Sequence, residues 1–145
     1  MAVIMGISDE HTVMVDLDDT TFFEARKLAS LALRKFRLGG FIIFKSSPEH
    51  YHLIFDKPCS VIKVFKVISW IAIMSRNPNI WKYVCMQGIK GYCTLRVSPK
   101  PINPNGFKHT PRIVYRHGTQ NQMIKDYLTF RKHILKSVKN SDLYT

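Results

Sequence analysis

The stretch FIIFKSSPEHYHLIF, residues 41–55, predicts two β-strands joined by a tight turn. Phe41–Lys45 and Tyr51–Phe55 are rich in the β-branched and aromatic side chains that are typical of strands. Between them, Ser46-Ser47-Pro48-Glu49 has the composition of a turn. Apolar and polar residues alternate in the second strand, and successive strand residues point to opposite faces of a sheet. We therefore predict a β-hairpin with one apolar face and one polar face.

Helices and further strands are predicted on both sides of this hairpin. Upstream, Thr12–Asp18 alternates apolar with polar residues and predicts a strand, and a helix is predicted from about Thr21 to Arg37. The elements predicted downstream are a helix from about Ser60 to Met74, a short helix at Ile80–Ile89, strands at Thr94–Val97 and Arg112–Arg116, and a helix at Gln120–Val138. The order βαββαβ, with additions at the C terminus, predicts an α+β fold. We expect a ferredoxin-like or RNA-recognition-motif-like palm, with helices packed on one face of a mainly antiparallel sheet.

Length and composition predict one soluble domain. The chain has 145 residues, of which 46% are hydrophobic and 22% are charged. A chain of this length buries enough surface to fold without a disulfide or a structural metal. We predict a single basic α/β domain over residues 1–145, with a core at about 12–116 and an amphipathic helix at about 120–138. The cysteines have no paired spacing, and no stretch resembles a signal peptide or a membrane span, so we expect a cytoplasmic protein with no membrane partner.

The distribution of charge favours a polyanionic partner. The formal net charge is +12, and eight of the ten acidic residues lie at or before Asp56. The next acid is Asp126, and twelve basic residues lie between these two positions. Such a surplus attracts nucleic acids, nucleotides or acidic membrane surfaces. We expect nucleic acid as the partner, DNA in preference to RNA, with the replication or transcription machinery as a further class of partner.

The alternation of the strands predicts that polar side chains gather on one sheet face. If the apolar faces pack on the helices, the opposite, open face collects Asp16, Asp18, His50, His52, Arg96, Ser98 and Lys100. Two aspartates two positions apart on a strand offer the oxygen ligands that Mg²⁺ or Mn²⁺ prefers. Asp18 or Asp19 could instead cap the following helix, and the whole set could be the ordinary solvent face of an amphipathic sheet.

These residues resemble motifs of the archaeo-eukaryotic primase superfamily, the primase-polymerases. Val15-Asp16-Leu17-Asp18 is similar to the first motif, a strand that carries metal-binding acids. Ser46–Phe55 resembles the second motif, a Ser-rich turn followed by a nucleotide-binding His on a strand, and Thr94–Lys100 is similar to the Arg-containing strand and basic loop near the third motif. The resemblance implies Mg²⁺ or Mn²⁺ as the cofactor, held by Asp16 and Asp18.

The resemblance also implies a role for each remaining candidate. Catalysis is assigned to Asp16, Asp18 and His52, with His52 on the phosphate of the incoming nucleotide. Nucleotide or phosphate binding is assigned to His50, Arg96, Ser98 and Lys100, and the nucleic-acid backbone is assigned to Lys108, Arg112 and Arg116.

The chain departs from the primase-polymerase pattern at the third motif. That motif supplies another carboxylate, yet no acid occurs between Asp56 and Asp126. Transfer of a nucleotide by two metal ions uses about three acidic ligands. Either Asp19 or Asp56 takes the missing place, or the chain is a degenerate relative that binds without catalysis. We predict a nucleic-acid- and nucleotide-binding replication protein with a primase-polymerase-like core, which is a nucleotidyltransferase if it is active.

Two other functions fit the same residues. His50-Tyr51-His52 resembles the metal motif of the HUH endonucleases, which nick DNA during rolling-circle replication or transposition. That resemblance implies a divalent ion held by both histidines and an acid such as Asp18, and a nucleophilic tyrosine, for which Tyr127 is the candidate. Tyr127 also falls on the apolar stripe of its helix, which favours a position in the core. The third hypothesis is a non-enzymatic basic protein that binds nucleic acid or blocks the nucleic-acid channel of a polymerase.

Overall fold

The computed structural model describes residues 4–101 and 107–139. In these residues the elements are β1 (Gly6–Asp9), β2 (Met14–Leu17), α1 (Phe22–Phe36), β3 (Gly40–Ser47), β4 (His50–Phe55), α2 (Val61–Ser75), α3 (Pro78–Lys90), β5 (Cys93–Arg96), β6 (Lys100–Pro101), β7 (Phe107–Lys108), β8 (Arg112–Gly118) and α4 (Met123–Lys139). The predicted α+β class with a mainly antiparallel sheet is confirmed. The proline-rich stretch Ser98–Pro111 predicts a semi-rigid basic loop, and part of it, residues 102–106, lies outside the described residues.

The main sheet has four strands in the order β2-β4-β3-β8. Each neighbouring pair is antiparallel, so β2 and β3 run parallel to each other with β4 between them. The helix α1 connects β2 to β3, which gives the split β-α-β arrangement of ferredoxin-like folds. The sheet therefore places the start of β4 beside the end of β2, where the predicted site residues lie.

The strand β5 does not join the main sheet through a strand ladder. It pairs instead with β1 in an antiparallel two-stranded ribbon, in which Gly6 lies opposite Arg96. The phenol of Tyr83 holds this ribbon near the main sheet, because its hydroxyl donates to the carbonyl of Met14 in β2 at 2.8 Å and lies 3.3 Å from that of Thr94 in β5. The edge beyond β3 is occupied by β8.

The predicted hairpin is confirmed, with a shorter turn than its composition suggested. The strand β3 continues through Ser47, which pairs with His50, so that only Pro48 and Glu49 form the turn. Glu49 has a φ of 62°, the left-handed conformation that tight hairpin turns require. The Ser46 hydroxyl donates to the His50 carbonyl at 3.2 Å and helps to hold this irregular end of the ladder.

The helices begin at side chains that cap them. The hydroxyl of Thr21 accepts from the amide of Glu24 at 3.1 Å, and Ser60 caps α2 in the same way. Asn77 caps α3, with Pro78 in the first turn, where a missing amide proton costs nothing. These caps place the starts of α1 and α2 within one residue of the predicted positions. No helix in the described parts of the chain is long and apolar enough to cross a membrane.

Helices cover both faces of the main sheet. On one face Phe22 of α1 packs against Tyr51 and Tyr115, with ring centroids 5.9 Å and 6.1 Å apart. On the other face the ring of Tyr127 in α4 lies 5.7 Å from that of Phe44. Part of the face that we expected to be open is therefore covered by α4. The reason is that this face also carries large apolar side chains of β3, which need an apolar partner.

Candidate functional site

The first and second sequence motifs meet across the main sheet. In the antiparallel register of β2 and β4, Asp16 lies opposite His52. The Nε2 atom of His52 is 3.7 Å from Oδ1 of Asp16, and the two side chains are 4% and 31% exposed. Phe44 of β3 is the next residue in the same row. A buried imidazole thus lies against a carboxylate that reaches the surface.

A second pair of the same type lies at the end of β2. His50 Nδ1 is 2.6 Å from Asp18 Oδ1, and both side chains are partly exposed. The Asp18 carbonyl accepts from Asn77 Nδ2 at 2.7 Å and from the Thr20 hydroxyl at 2.9 Å. These bonds fix the backbone at Asp18, so its carboxylate is held beside His50. The four predicted residues of β2 and β4 therefore come together as two acid–imidazole pairs.

The acids after β2 do not cap α1. The cap is Thr21, and the side chain of Asp19 accepts instead from Asn79 Nδ2 at the start of α3. Asp19 has a φ of 50°, a left-handed conformation that aspartate adopts more readily than most residues. The alternative that Asp18 or Asp19 caps the helix is wrong, which leaves the Asp18 carboxylate facing His50.

Asp56 has a structural position that is incompatible with the suggested role as a third metal ligand. Its side chain is fully buried and accepts from the amides of Asn121, Gln122 and Ile124 at 3.3, 2.9 and 3.1 Å. It follows the end of β4, whereas His50 is at the start of that strand. The suggestion for Asp56 is wrong, because its oxygens hold the first turn of α4. Among residues 4–101 and 107–139, no three His, Cys, Asp or Glu side chains are grouped closely enough to hold a metal by themselves.

Three predicted residues lie outside the main sheet. Arg96 is in the β1–β5 ribbon, where its guanidinium donates to the carbonyls of Ser98 and His109. Ser98 is buried and its hydroxyl accepts from the amide of Met5 at 2.7 Å. Lys100 is exposed on β6 and pairs with Lys108, whose side chain lies outside the described residues. The expectation that all seven polar residues share one open sheet face is wrong for Arg96, Ser98 and Lys100, because β5 pairs with β1.

A cationic pocket lies at the same end of the sheet as the acid–imidazole pairs. Its volume is about 260 Å³, and it is lined by Lys45, Ser46, Ser47, Pro48, His109, Thr110 and Arg112. Lys45 is the register partner of both Tyr51 and Arg112, so Lys45 and Arg112 belong to the Tyr51 face of the sheet, whereas Asp16 and His52 belong to the opposite face. The Ser47 hydroxyl is buried and has no hydrogen-bond partner among the described residues. Lys45 and Ser47 had no assigned role in the sequence, because only the register of three strands brings them to Arg112.

Arg116 lies farther along β8, opposite Ile42, and is exposed. It does not line the pocket that contains Arg112. Of the predicted backbone-binding residues, Arg112 therefore lies at the same end of the sheet as the acid–imidazole pairs but on the other face, and Arg116 lies farther along the same edge strand.

The helix α4 adds a tyrosine and an arginine above Phe44. Tyr127 is 4% exposed, and burial raises the pKa of its phenol although the charges of Arg131 and Arg96 act in the opposite direction. The guanidinium of Arg131 lies 5.1 Å from the Phe44 ring centroid and donates to the Pro111 carbonyl at 2.7 Å. Burial lowers the pKa of Arg131. The core position of Tyr127 is confirmed, and Arg131 is a cation near the site that received no role in the primase-polymerase assignment.

No family model, curated protein or solved structure matches the chain. Conclusions about function therefore rest on the geometry of the residues themselves. The decisive geometry is the meeting of two aspartates and two histidines on one face of the sheet, at the end where a small cationic pocket also lies.

Proposed function

We propose that this protein binds a nucleoside triphosphate, together with one Mg²⁺ or Mn²⁺ ion, and nucleic acid, as a replication protein of the primase-polymerase type. The observation that carries the proposal is the register that sets Asp16 opposite His52. It supports the proposal because it brings the acids of one motif to the histidine of another motif that is distant in sequence.

The two aspartates suit a single divalent ion. Asp16 and Asp18 are two positions apart, and both carboxylates are partly exposed. Mg²⁺ is commonly bound by one or two carboxylates, with water and substrate phosphates as its other ligands. The ion would neutralise phosphate charge at this position. Because Asp56 is used by α4, the set of acids favours nucleotide binding over transfer by two metal ions.

Phosphate groups are assigned to the histidines beside the acids and to the cationic pocket at the same end of the sheet. His52 and His50 lie against the carboxylates, and the neighbouring pocket offers Lys45, Arg112 and the unpartnered hydroxyl of Ser47. Phosphate oxygens accept hydrogen bonds, and each of these groups can donate one. We therefore assign the triphosphate to this end of the sheet rather than to Ser98, whose hydroxyl already accepts from the Met5 amide.

Calorimetric titration of a nucleoside triphosphate, with and without Mn²⁺, tests the proposal. We expect Mn²⁺-dependent binding by the natural protein and at least about tenfold weaker binding by Asp16→Asn/Asp18→Asn, because each change removes a charged oxygen ligand. Glu10→Gln/Glu24→Gln is the matched control, since it removes two exposed acids elsewhere and should bind as the natural protein does. The absence of Mn²⁺-dependent binding by the natural protein would refute the nucleotide site. Retained nucleic-acid binding in that case would favour the non-enzymatic hypothesis.

The nicking hypothesis predicts a different product. His50 and His52 lie on the same side of β4, and Asp18 contacts His50, which are the residues that this hypothesis assigns to the metal. Incubation with single-stranded DNA and Mn²⁺ would then give a covalent protein–DNA adduct that Tyr127→Phe abolishes. We expect no adduct, because the phenol of Tyr127 is buried against Phe44.

A further inference from the structure

The helices α1 and α2 carry many cations and almost no acids. The basic residues are Arg26, Lys27, Arg34, Lys35 and Arg37 in or directly after α1, and Lys63 and Lys66 in α2. The helix α1 contains one acid, Glu24 in its first turn, and α2 contains none. Like charges so close together repel one another, and a polyanion that binds them relieves this repulsion.

A cleft lies where α1 ends and α2 begins. Its volume is about 420 Å³, and its lining is Lys35, Phe36, Arg37, Ser60, Ile62, Lys63 and Lys66. Four of these seven residues are cationic and none is acidic. The charge is therefore concentrated in a concave site and is not spread evenly over the helices.

Lys57 extends this cationic region. Burial raises the pKa of the Cys59 thiol, and the charges of Lys63 and Lys57 both act against this rise. Lys57 is exposed and lies three residues before Ser60, which lines the cleft. The backbone amide of Lys57 donates to the carbonyl of Leu38 at 3.1 Å and fixes this segment beside the end of α1.

Arg37 has a backbone conformation that does not suit an arginine. It ends α1 in the left-handed region with a φ of 54°, where glycine is the common residue. A side chain costs free energy there, because its Cβ crowds the backbone. Arg37 lines the cleft together with Lys35, Lys63 and Lys66, so the residue in the strained conformation is one of its four cationic residues.

We propose that the α1–α2 cleft binds the sugar-phosphate backbone of nucleic acid as a second site, separate from the acid–imidazole pairs. The separation follows from the fold. The 15 residues of α1 lead from its end near Asp18 to the cleft, a distance of about 22 Å at the helical rise per residue. In addition, α1 packs on the Tyr51 face of the sheet, and Asp16 and His52 belong to the opposite face.

The concave shape favours a nucleic-acid strand over a membrane. A strand presents single phosphates that enter a cleft, whereas a bilayer is flat on this scale and contacts convex surfaces. Arginine and lysine that neutralise phosphates also make binding depend steeply on salt concentration. The salt dependence therefore reports the number of phosphates that the cleft contacts.

The test compares two variants that lose the same charge. Lys35→Gln/Lys63→Gln/Lys66→Gln removes three cations of the cleft, and Lys82→Gln/Lys132→Gln/Lys136→Gln removes three exposed cations of α3 and α4. For a fluorescent single-stranded oligonucleotide, we expect the cleft variant to lower the slope of log affinity against log salt by about 2, since each phosphate contributes about 0.7. The control variant should change the slope by less than half as much. Equal slopes for the two variants, or an unchanged slope for the cleft variant, would overturn the proposal.

The variant Arg37→Gly distinguishes a loss of oligonucleotide binding from a loss of stability. Arg37→Gly should keep or raise the midpoint of urea unfolding, because glycine suits the left-handed conformation, and it should weaken oligonucleotide binding. Unchanged oligonucleotide binding by Arg37→Gly would contradict its place in the site.

Vesicles that contain phosphatidylserine are the other probe. If the cleft variant lost vesicle binding without losing oligonucleotide binding, the cleft would be assigned to membranes instead. The Mn²⁺-dependent nucleotide titration of the cleft variant should equal that of the natural protein, so the two sites can fail independently.

Discussion

Asp16 lies in strand β2 and Asp56 directly follows strand β4 of the same sheet, but the two aspartates have different surroundings. Asp56 is fully buried and accepts three backbone amide protons of the segment that starts α4. Asp16 is partly exposed and lies 3.7 Å from a histidine nitrogen. A buried carboxylate is tolerated when amides satisfy its oxygens, and it then contributes to stability. A carboxylate that faces an imidazole and reaches solvent is accessible to a ligand.

This difference distinguishes an acid that stabilises the fold from an acid that is accessible to a ligand. Both residues follow apolar strand positions, so residue type and local pattern do not distinguish them. The strand end at which each lies does distinguish them, because α4 starts beside the end of β4 and not beside the end of β2. We therefore expect changes at Asp56 to act on folding and changes at Asp16 to act on binding.

The largest effect is expected at Asp56. Asp56→Ala leaves three amides at the start of α4 without their acceptor, and we expect a loss of about 3 kcal/mol or more in the free energy of unfolding. Asp56→Asn keeps one carbonyl oxygen and should lose less than half as much. Urea denaturation measures both. A loss below about 1 kcal/mol for Asp56→Ala would remove the contrast with Asp16.

A smaller effect is expected at Tyr83, which supports β2 near Asp16 without a charge. Its buried hydroxyl donates to the Met14 carbonyl and contacts that of Thr94. Tyr83→Phe should lower the free energy of unfolding by about 1–2 kcal/mol at neutral pH, because these carbonyls lose a donor.

The pH dependence of Tyr83 gives an independent check. Burial, with the nearby Cys93 and Asp16, raises the pKa of this phenol well above its ordinary value of 10.0. The folded state therefore keeps a proton that the unfolded state loses above that value, so stability is present below about pH 10 and falls as the pH rises further. Tyr83→Phe should make this alkaline fall shallower in urea denaturation at a series of pH values. An identical fall in the variant would contradict the burial of the phenol.

The smallest effect is expected for the partly exposed pair of Asp18 and His50. Their atoms are 2.6 Å apart, but solvent screens both side chains. A double-mutant cycle with Asp18→Asn and His50→Gln should give a coupling of about 0.5–1 kcal/mol in the free energy of unfolding. A coupling as large as the loss in Asp56→Ala would mean that this pair is structural, which would weaken its assignment to a ligand.

Local patterns predicted the elements from which the site is built. The hairpin at residues 41–55 and the helices after Thr21 and Ser60 follow from apolar periodicity and capping side chains, which act over a few residues. The same alternation correctly placed Asp16 and His52 on one face. The strand β1 was missed, because Gly6–Asp9 is short and becomes a strand by pairing with β5.

The sequence by itself determined the α+β class, the hairpin, the main helix boundaries and the shared face of Asp16 and His52. These features depend on neighbouring residues and on the two-residue period of a strand. Only the tertiary structure decided that β5 leaves the main sheet and that α4 covers Phe44. It also decided that Asp56 caps a helix and that Lys45, Ser47 and Arg112 line one pocket. Each of these features depends on contacts between segments that are far apart in the chain. Several partners would satisfy the same local pattern, and the arrangement with the best total packing is the one that forms.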